Sequence, residues 1–184
     1  HVHLEFTALR HTIAPQKNLP AWLQKAIDGF STLEPGEIDQ GILEGIAEMR
    51  RFGTILAAEV STTGRSLPLL AASNLAFHYF YGCLGFDRLA ETPLAADFPF
   101  LAQPGLASLP LSAAAHAPYS VSAPLFRRIK AWNRDRGGVT SVHLSESQEE
   151  IRFLQHGNGS FQELLARRGR WYEGYTPPGC SPAV

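Results

Sequence analysis

Two groups of residues at opposite ends of the chain have the types and spacing to do chemistry: His1-Val2-His3 and His143-Leu144-Ser145-Glu146. On a strand, side chains two apart share a face. The first pair of imidazoles can therefore grip one cation, or can be two surface histidines. In the second group His143 lies near the end of an apolar run, 139–144, where it can ligate a metal. Glu146, three residues on, can shuttle a proton to and from a metal-activated water. The alternative is a core His followed by a Glu placed at a helix start by the helix dipole. A third group, His116-Ala117-Pro118-Tyr119-Ser120, follows another apolar run. Its histidine can bind substrate, ligate metal, or hold a loop through backbone hydrogen bonds.

Other candidates fall away. His11, His78 and His156 have no partner at ligand spacing. Glu149 and Glu150 read as helix capping, and the basic runs Arg127, Arg128, Lys130, Arg134, Arg136 and Arg167, Arg168, Arg170 as solvated helix faces. Gly157-Asn158-Gly159 lacks the third glycine of a dinucleotide loop. There is no His-Glu-x-x-His and no Pro-Cys-x-x-Cys.

The elements that must position the three groups alternate. Asn18 caps a helix through Trp22, Leu23, Ala26, Ile27 and Phe30, with Pro20 tolerated in its first turn. A second helix runs from Glu37 to Arg51 on a stripe of Ile38, Ile42, Ile46 and Met49, and Gly53 stops it. Residues 54–60, 75–84 and 111–115 read as buried strands, and 92–110, with four prolines, as loop plus a short helix. Ser122 caps a helix through Asn133 that ends at Gly137 and Gly138. Residues 139–144 read as the clearest strand. Ser147 and Glu150 form a capping box for a helix ending near Gly157, and 161–168 is a last short helix. Strand and helix in alternation mean a parallel sheet in an α/β protein.

Size and composition agree with one domain, 1–184. The 184 residues are 45% hydrophobic and 18% charged, with a net charge of −1, which excludes disorder and a broad basic nucleic-acid face. No apolar run reaches ~20 residues, so no membrane span is expected. Cys83 and Cys180 suit a reducing cytosol, and a cytoplasmic location is expected. The start at His1 and the Pro/Gly-rich end at 176–184 read as cuts in a longer protein.

Taken in order, these groups resemble the amidohydrolase superfamily, and within it the branch of cytosine, guanine, adenosylhomocysteine and aminofutalosine deaminases and triazine hydrolases. The matching pieces are His1-Val2-His3-Leu4-Glu5-Phe6, Pro20-Ala21-Trp22-Leu23, Met49-Arg50-Arg51-Phe52-Gly53-Thr54, the segment from His116 to Ser122, and the segment from His143 to Glu150. The opening with Trp22-Leu23 most resembles the aminofutalosine deaminase-like group.

The resemblance implies a distorted (β/α)8 barrel, often beside a small β-sandwich, of which this chain would hold the first five or six strands. It implies His1, His3 and His143 as ligands of one divalent metal ion, zinc first, with iron or manganese as alternatives. Glu146 would be the catalytic proton shuttle, His116 would contact substrate, and Trp22 would wall the pocket. The reaction would be hydrolytic deamination of an aminated ring, such as a purine-type or aminofutalosine-type nucleoside. The small-molecule substrate is the partner expected, with neither nucleic acid nor membrane, and unpaired strand edges would favour a homodimer.

Two family ligands, a sixth-strand His and an eighth-strand Asp, have no counterpart, since no His follows His156 and the last Asp is Asp135. Pro20 stands where relatives that read adenine often carry a Glu. The competing reading is a non-catalytic truncated remnant that keeps part of the metal site. A third, a binding module on a flavodoxin-like sheet, would set His1, His3 and His143 far apart.

Overall fold

The computed structural model describes residues 1–182. A 3-10 turn, Leu4–Leu9, follows His3 and leads to α1 (Leu19–Phe30) and α2 (Pro35–Arg51). Asn18 caps α1 by accepting the Ala21 N–H at 3.0 Å. Helix α2 begins two residues before the expected Glu37, because Pro35 fits the first turn and the Glu37 carboxylate accepts the Glu34 N–H at 2.8 Å.

Three parallel strands follow, β1 (Leu56–Ser61), β2 (Ala76–Cys83) and β3 (Leu111–Ala115), in the order β1-β2-β3. Between β1 and β2 lies α3 (Ser66–Ala71). Between β2 and β3 lies the short α4 (Leu94–Asp97) with two 3-10 turns. Helices α5 (Ala123–Asp135), α6 (Gln148–His156) and α7 (Ser160–Arg167) complete the chain. Helix α3 has no sequence signal beyond Pro68, which sits in its first turn where no N–H is needed.

Single bridges flank the sheet. Val2 pairs with β1 through Val2 N–H to Ala58 O and Val60 N–H to Val2 O, both 2.9 Å. Val142 pairs with Ala115 at the end of β3. Residues 139–144 are thus not the strand that their composition predicts. The Val139 N–H goes to Ser112 Oγ and the Val139 carbonyl to Asn133 Nδ2, both at 3.0 Å, so side chains take the groups a ladder would need. Among the described residues there are three strands and three isolated bridges, of which those at Val2 and Val142 extend the sheet on either side and the third joins Gly85 to Val121.

Val2, β1, β2, β3 and Val142 nevertheless follow one another across the sheet, all parallel. In a flat sheet the first and fifth segments would lie roughly 19 Å apart, four spacings of about 4.8 Å. His3 Nε2 and His143 Nε2 are 3.1 Å apart. Two imidazole side chains cannot bridge the flat distance, so the sheet is strongly curved.

Tyr79, Tyr81 and Cys83 alternate along β2 and share one face of the sheet with Ala113 of β3. Helices cover that face: Ile38, Ile42 and Ile46 of α2 pack with Leu4, Leu70 and Tyr79, each fully buried Ile contributing about 1.5–3 kcal/mol. Further along it Leu125 and Ile129 of α5 pack with Tyr81, Cys83 and Ala113. Beyond the strand ends, Phe153 and Leu154 of α6 and Phe161 and Leu164 of α7 enclose Phe86, Ala117 and Tyr119. Tyr175 stacks on Phe153 at 5.2 Å and the Gly179 N–H bonds Leu154 O, so the segment after α7 is docked.

Arg128 is not on a solvated face. It is buried, with its guanidinium bonded to Asp97 and to Ala90 O. Both cysteines are free, and no helix of the described residues is long and apolar enough to cross a membrane.

Candidate active site

The carboxyl ends of parallel strands are where an α/β sheet builds a site. His3 follows the Val2 bridge, His116 follows β3, and His143 follows the Val142 bridge. Each lies one residue past the last pairing of its segment. One ligand nitrogen each from His1, His3 and His143 lies within 4.8 Å of the others. The flavodoxin-like alternative, with these histidines apart, is excluded.

The ring nitrogens have assignable roles. His3 Nδ1 faces Val60 O at 3.0 Å and His143 Nδ1 faces His116 O at 2.8 Å. A carbonyl oxygen only accepts, so both Nδ1 atoms carry the proton and both Nε2 atoms carry a lone pair. Those lone pairs confront one another at 3.1 Å. Two acceptors at that distance repel unless a cation lies between them. Burial, and after it His143, lowers the His3 pKa, against a smaller opposing effect of the Val60 bond. A proton on His3 is therefore disfavoured, and imidazoles that present free ring nitrogens to one another fit a divalent metal ion. The Nδ1–H bonds to backbone carbonyls are the outer contacts such ligands use to fix tautomer and ring plane.

His116 stands beside this cluster, its ring 5.2 Å from that of His143. Ser120 Oγ gives its proton to Ala117 O, so it accepts from His116 Nδ1 at 2.8 Å and leaves His116 Nε2 as an acceptor. Burial first, then His143 and His3, push the His116 pKa down to about 3. It is a neutral group at any working pH.

Glu146 lies in the loop before α6. Tyr119 Oη donates to Glu146 Oε2 at 2.6 Å. Burial, and then the carboxylate it bonds, push the tyrosine hydroxyl upward, so it remains a donor. Tyr119 is itself stacked on Phe161 at 3.9 Å between ring centroids. The sequence reading assigns Tyr119 no role, although it falls three residues after His116.

His1, His3, Trp22, His116, His143 and Glu146 all line one cleft of about 670 Å³. Its polar apex is the histidine cluster. Its walls are apolar, with Trp22, Leu23 and Ile27 from α1 and Phe161 and Leu164 from α7. Trp22 is 40% exposed and lines the cleft rather than the core.

Two further carboxylates, unassigned by the sequence, are buried beneath His3. Glu59 accepts from the Leu4 N–H and Ser66 Oγ, and burial raises its pKa to about 8. Glu5 accepts from Ser61 and Thr63 hydroxyls and the Arg65 N–H. They tie the 3-10 turn after His3 to β1. Spacing cannot reveal this, because the bonds that join the turn to β1, Leu4 to Glu59 and Glu5 to Ser61, link residues more than fifty apart.

No family model matches the chain. Aminodeoxyfutalosine deaminase from a Nitratiruptor species is 27% identical over 169 residues, 90% of this chain and 42% of that protein. Among solved structures, the aminofutalosine deaminase of Helicobacter pylori in complex with methylthio-coformycin matches with a TM-score of 0.79 at 22% identity, over 96% of this chain and 43% of that one. Guanine deaminase from C. acetobutylicum, with guanine in its active site, matches with a TM-score of 0.66 at 17% identity, over 92% and 44%. At such identities the structures speak for fold alone. The chain spans about 42% of the length of the curated relative it matches. The chain is thus similar in sequence to part of an aminodeoxyfutalosine deaminase and in fold to part of the deaminase structures, which are hydrolases acting on C–N bonds.

Proposed function

We propose that this chain carries the metal-binding part of a hydrolase that deaminates an aminated ring, a purine-type or aminofutalosine-type nucleoside, on part of a (β/α)8 barrel. The observation that supports it most is the confrontation of His3 Nε2 and His143 Nε2 at 3.1 Å with His1 beside them. The curvature that brings the first and fifth sheet segments together favours the barrel.

His1, His3 and His143 would hold one divalent ion, with zinc first among those that suit imidazole. When bound, the ion supplies Lewis acidity, which lowers the pKa of water toward ~7. Glu146 moves the proton. Tyr119 fixes one of its oxygens, which leaves Oε1 to carry the first proton of the attacking water to the ring nitrogen and then the second, from the added hydroxyl, to the amino group that departs as ammonia. His116 Nε2, a neutral acceptor, orients a donor on the substrate. Trp22 and the apolar faces of α1 and α7 cover the ring and exclude bulk water.

The test is ammonia release from aminodeoxyfutalosine, guanine and other aminated rings. The reading expects release with at least one of them and its loss in Glu146→Gln. A protein that binds metal but releases ammonia from none of these contradicts it.

A further inference from the structure

Helix α6 begins with an arrangement that capping alone does not explain. In a capping box the third helical residue reaches back to the N–H of the cap residue. Ser147 is the cap, and its Oγ accepts the Glu150 N–H at 3.2 Å. The Glu150 carboxylate goes further back. One oxygen accepts the Ser145 N–H at 3.1 Å and the other accepts the Glu146 N–H at 2.8 Å. Glu150 is completely buried, whereas a helix start at a surface can be capped without burying a charge.

The turn it grips is unusual. Ser145 has φ 61°, in the left-handed region. For a residue with a Cβ that conformation costs on the order of 1–3 kcal/mol and persists only where its surroundings hold it. The backbone bends at Ser145, and Glu146 follows with its side chain in the cleft, bonded to Tyr119.

We propose that Glu150 is the positioning residue for Glu146: its two carboxylate oxygens clamp the Ser145 and Glu146 N–H groups and so fix the direction in which the proton-shuttling side chain enters the cleft. The inference rests on the reading of Glu146 as that shuttle. Glutamine at position 150 keeps the volume but offers one acceptor and one donor to two N–H groups, so one is left unpaired and the turn is released. Gripping the turn does not touch the histidines, so metal is retained.

The experiment is a double-mutant cycle in the full chain with three readouts: kcat, bound metal, and amide hydrogen exchange of 143–150. Glu150→Gln is expected to lower kcat on the order of 10²-fold, the usual effect of misplacing a catalytic group by about 1 Å. KM and metal content stay near wild type, and the Ser145 and Glu146 amides exchange faster while β2 and β3 stay protected. In a Glu146→Gln background the same change has no further effect on kcat. Equal losses in both backgrounds, loss of metal, or unchanged exchange at 145 and 146 would each overturn the proposal. If Glu146→Gln alone leaves turnover intact, the shuttle reading fails, while exchange still reports separately whether Glu150 holds the turn. Should Glu150→Gln fold poorly, Glu150→Asp keeps both oxygens but withdraws them by one methylene, and the same criteria apply.

Discussion

Four side chains at the apex of the cleft divide the labour by which atom each leaves free. His3 and His143 spend Nδ1 on carbonyls and present Nε2, His116 spends Nδ1 on Ser120, and Glu146 spends one oxygen on Tyr119. Glu146→Gln removes the proposed proton carrier but keeps the shape. It should lower kcat by on the order of 10²–10⁴ and leave bound metal at the wild-type amount, measured by steady-state kinetics beside elemental analysis. Glu59 gives a second prediction. Burial raises its pKa from 4.5 to about 8 in the folded protein. A raised carboxyl contributes stability that is complete below its unfolded value and is lost as pH rises through the folded one. Between about pH 5 and 8, the Tm of wild type should therefore fall relative to that of Glu59→Gln; two parallel curves would show that Glu59 does not titrate there. His1, His3, His116, His143, Glu146 and Trp22 are all legible in the sequence, because their types are few and their order is distinctive. Tyr119, Glu150, Glu5 and Glu59 are not, because what each does depends on a hydrogen-bond partner that spacing does not name.

The elements hold those atoms in place through close packing at a few points. On α2 a Cβ added at Gly41 would lie 2.6 Å from the Ala8 nitrogen, so the 3-10 turn after His3 packs backbone to backbone on the helix. Gly41→Ala gains up to about 1 kcal/mol of helix propensity but meets main chain, for a net loss of about 1–2 kcal/mol. Gly36, in the same helix, has nothing within 4 Å, and its alanine variant should be more stable than wild type. Denaturant titration of the pair checks the sign of each. Asn133 of α5 is the matching clamp on the far edge. It accepts the Ala113 N–H and donates to the Ala113 and Val139 carbonyls. Asn133→Ala strands those buried groups and should cost about 1–3 kcal/mol by the same titration. Helices α1, α2, α5, α6 and α7 are legible from apolar period and caps. The segment 139–144 misleads, because its apolar residues mark a sheet edge whose backbone is satisfied by Ser112 and Asn133, and no local pattern reveals such a partner.

At the scale of the whole molecule, curvature is what turns separate histidines into a centre. His1 and His3 are 140 and more residues from His143, and only a sheet that bends through five consecutive parallel segments can join them. The same bend opens the 670 Å³ cleft and lets α1 and α7 form its walls. The order of segments was legible in the alternation of strand and helix. The bend is not legible in that alternation, since it depends on how α2 and α5 pack side by side along one face of the sheet. The most direct test of a metal centre built by that bend is elemental analysis of the untagged protein, wild type against His143→Ala. About one zinc, iron or manganese ion per chain in wild type and little in the variant is the predicted result. Wild-type protein without stoichiometric metal, or a variant that retains it in full, would contradict the account.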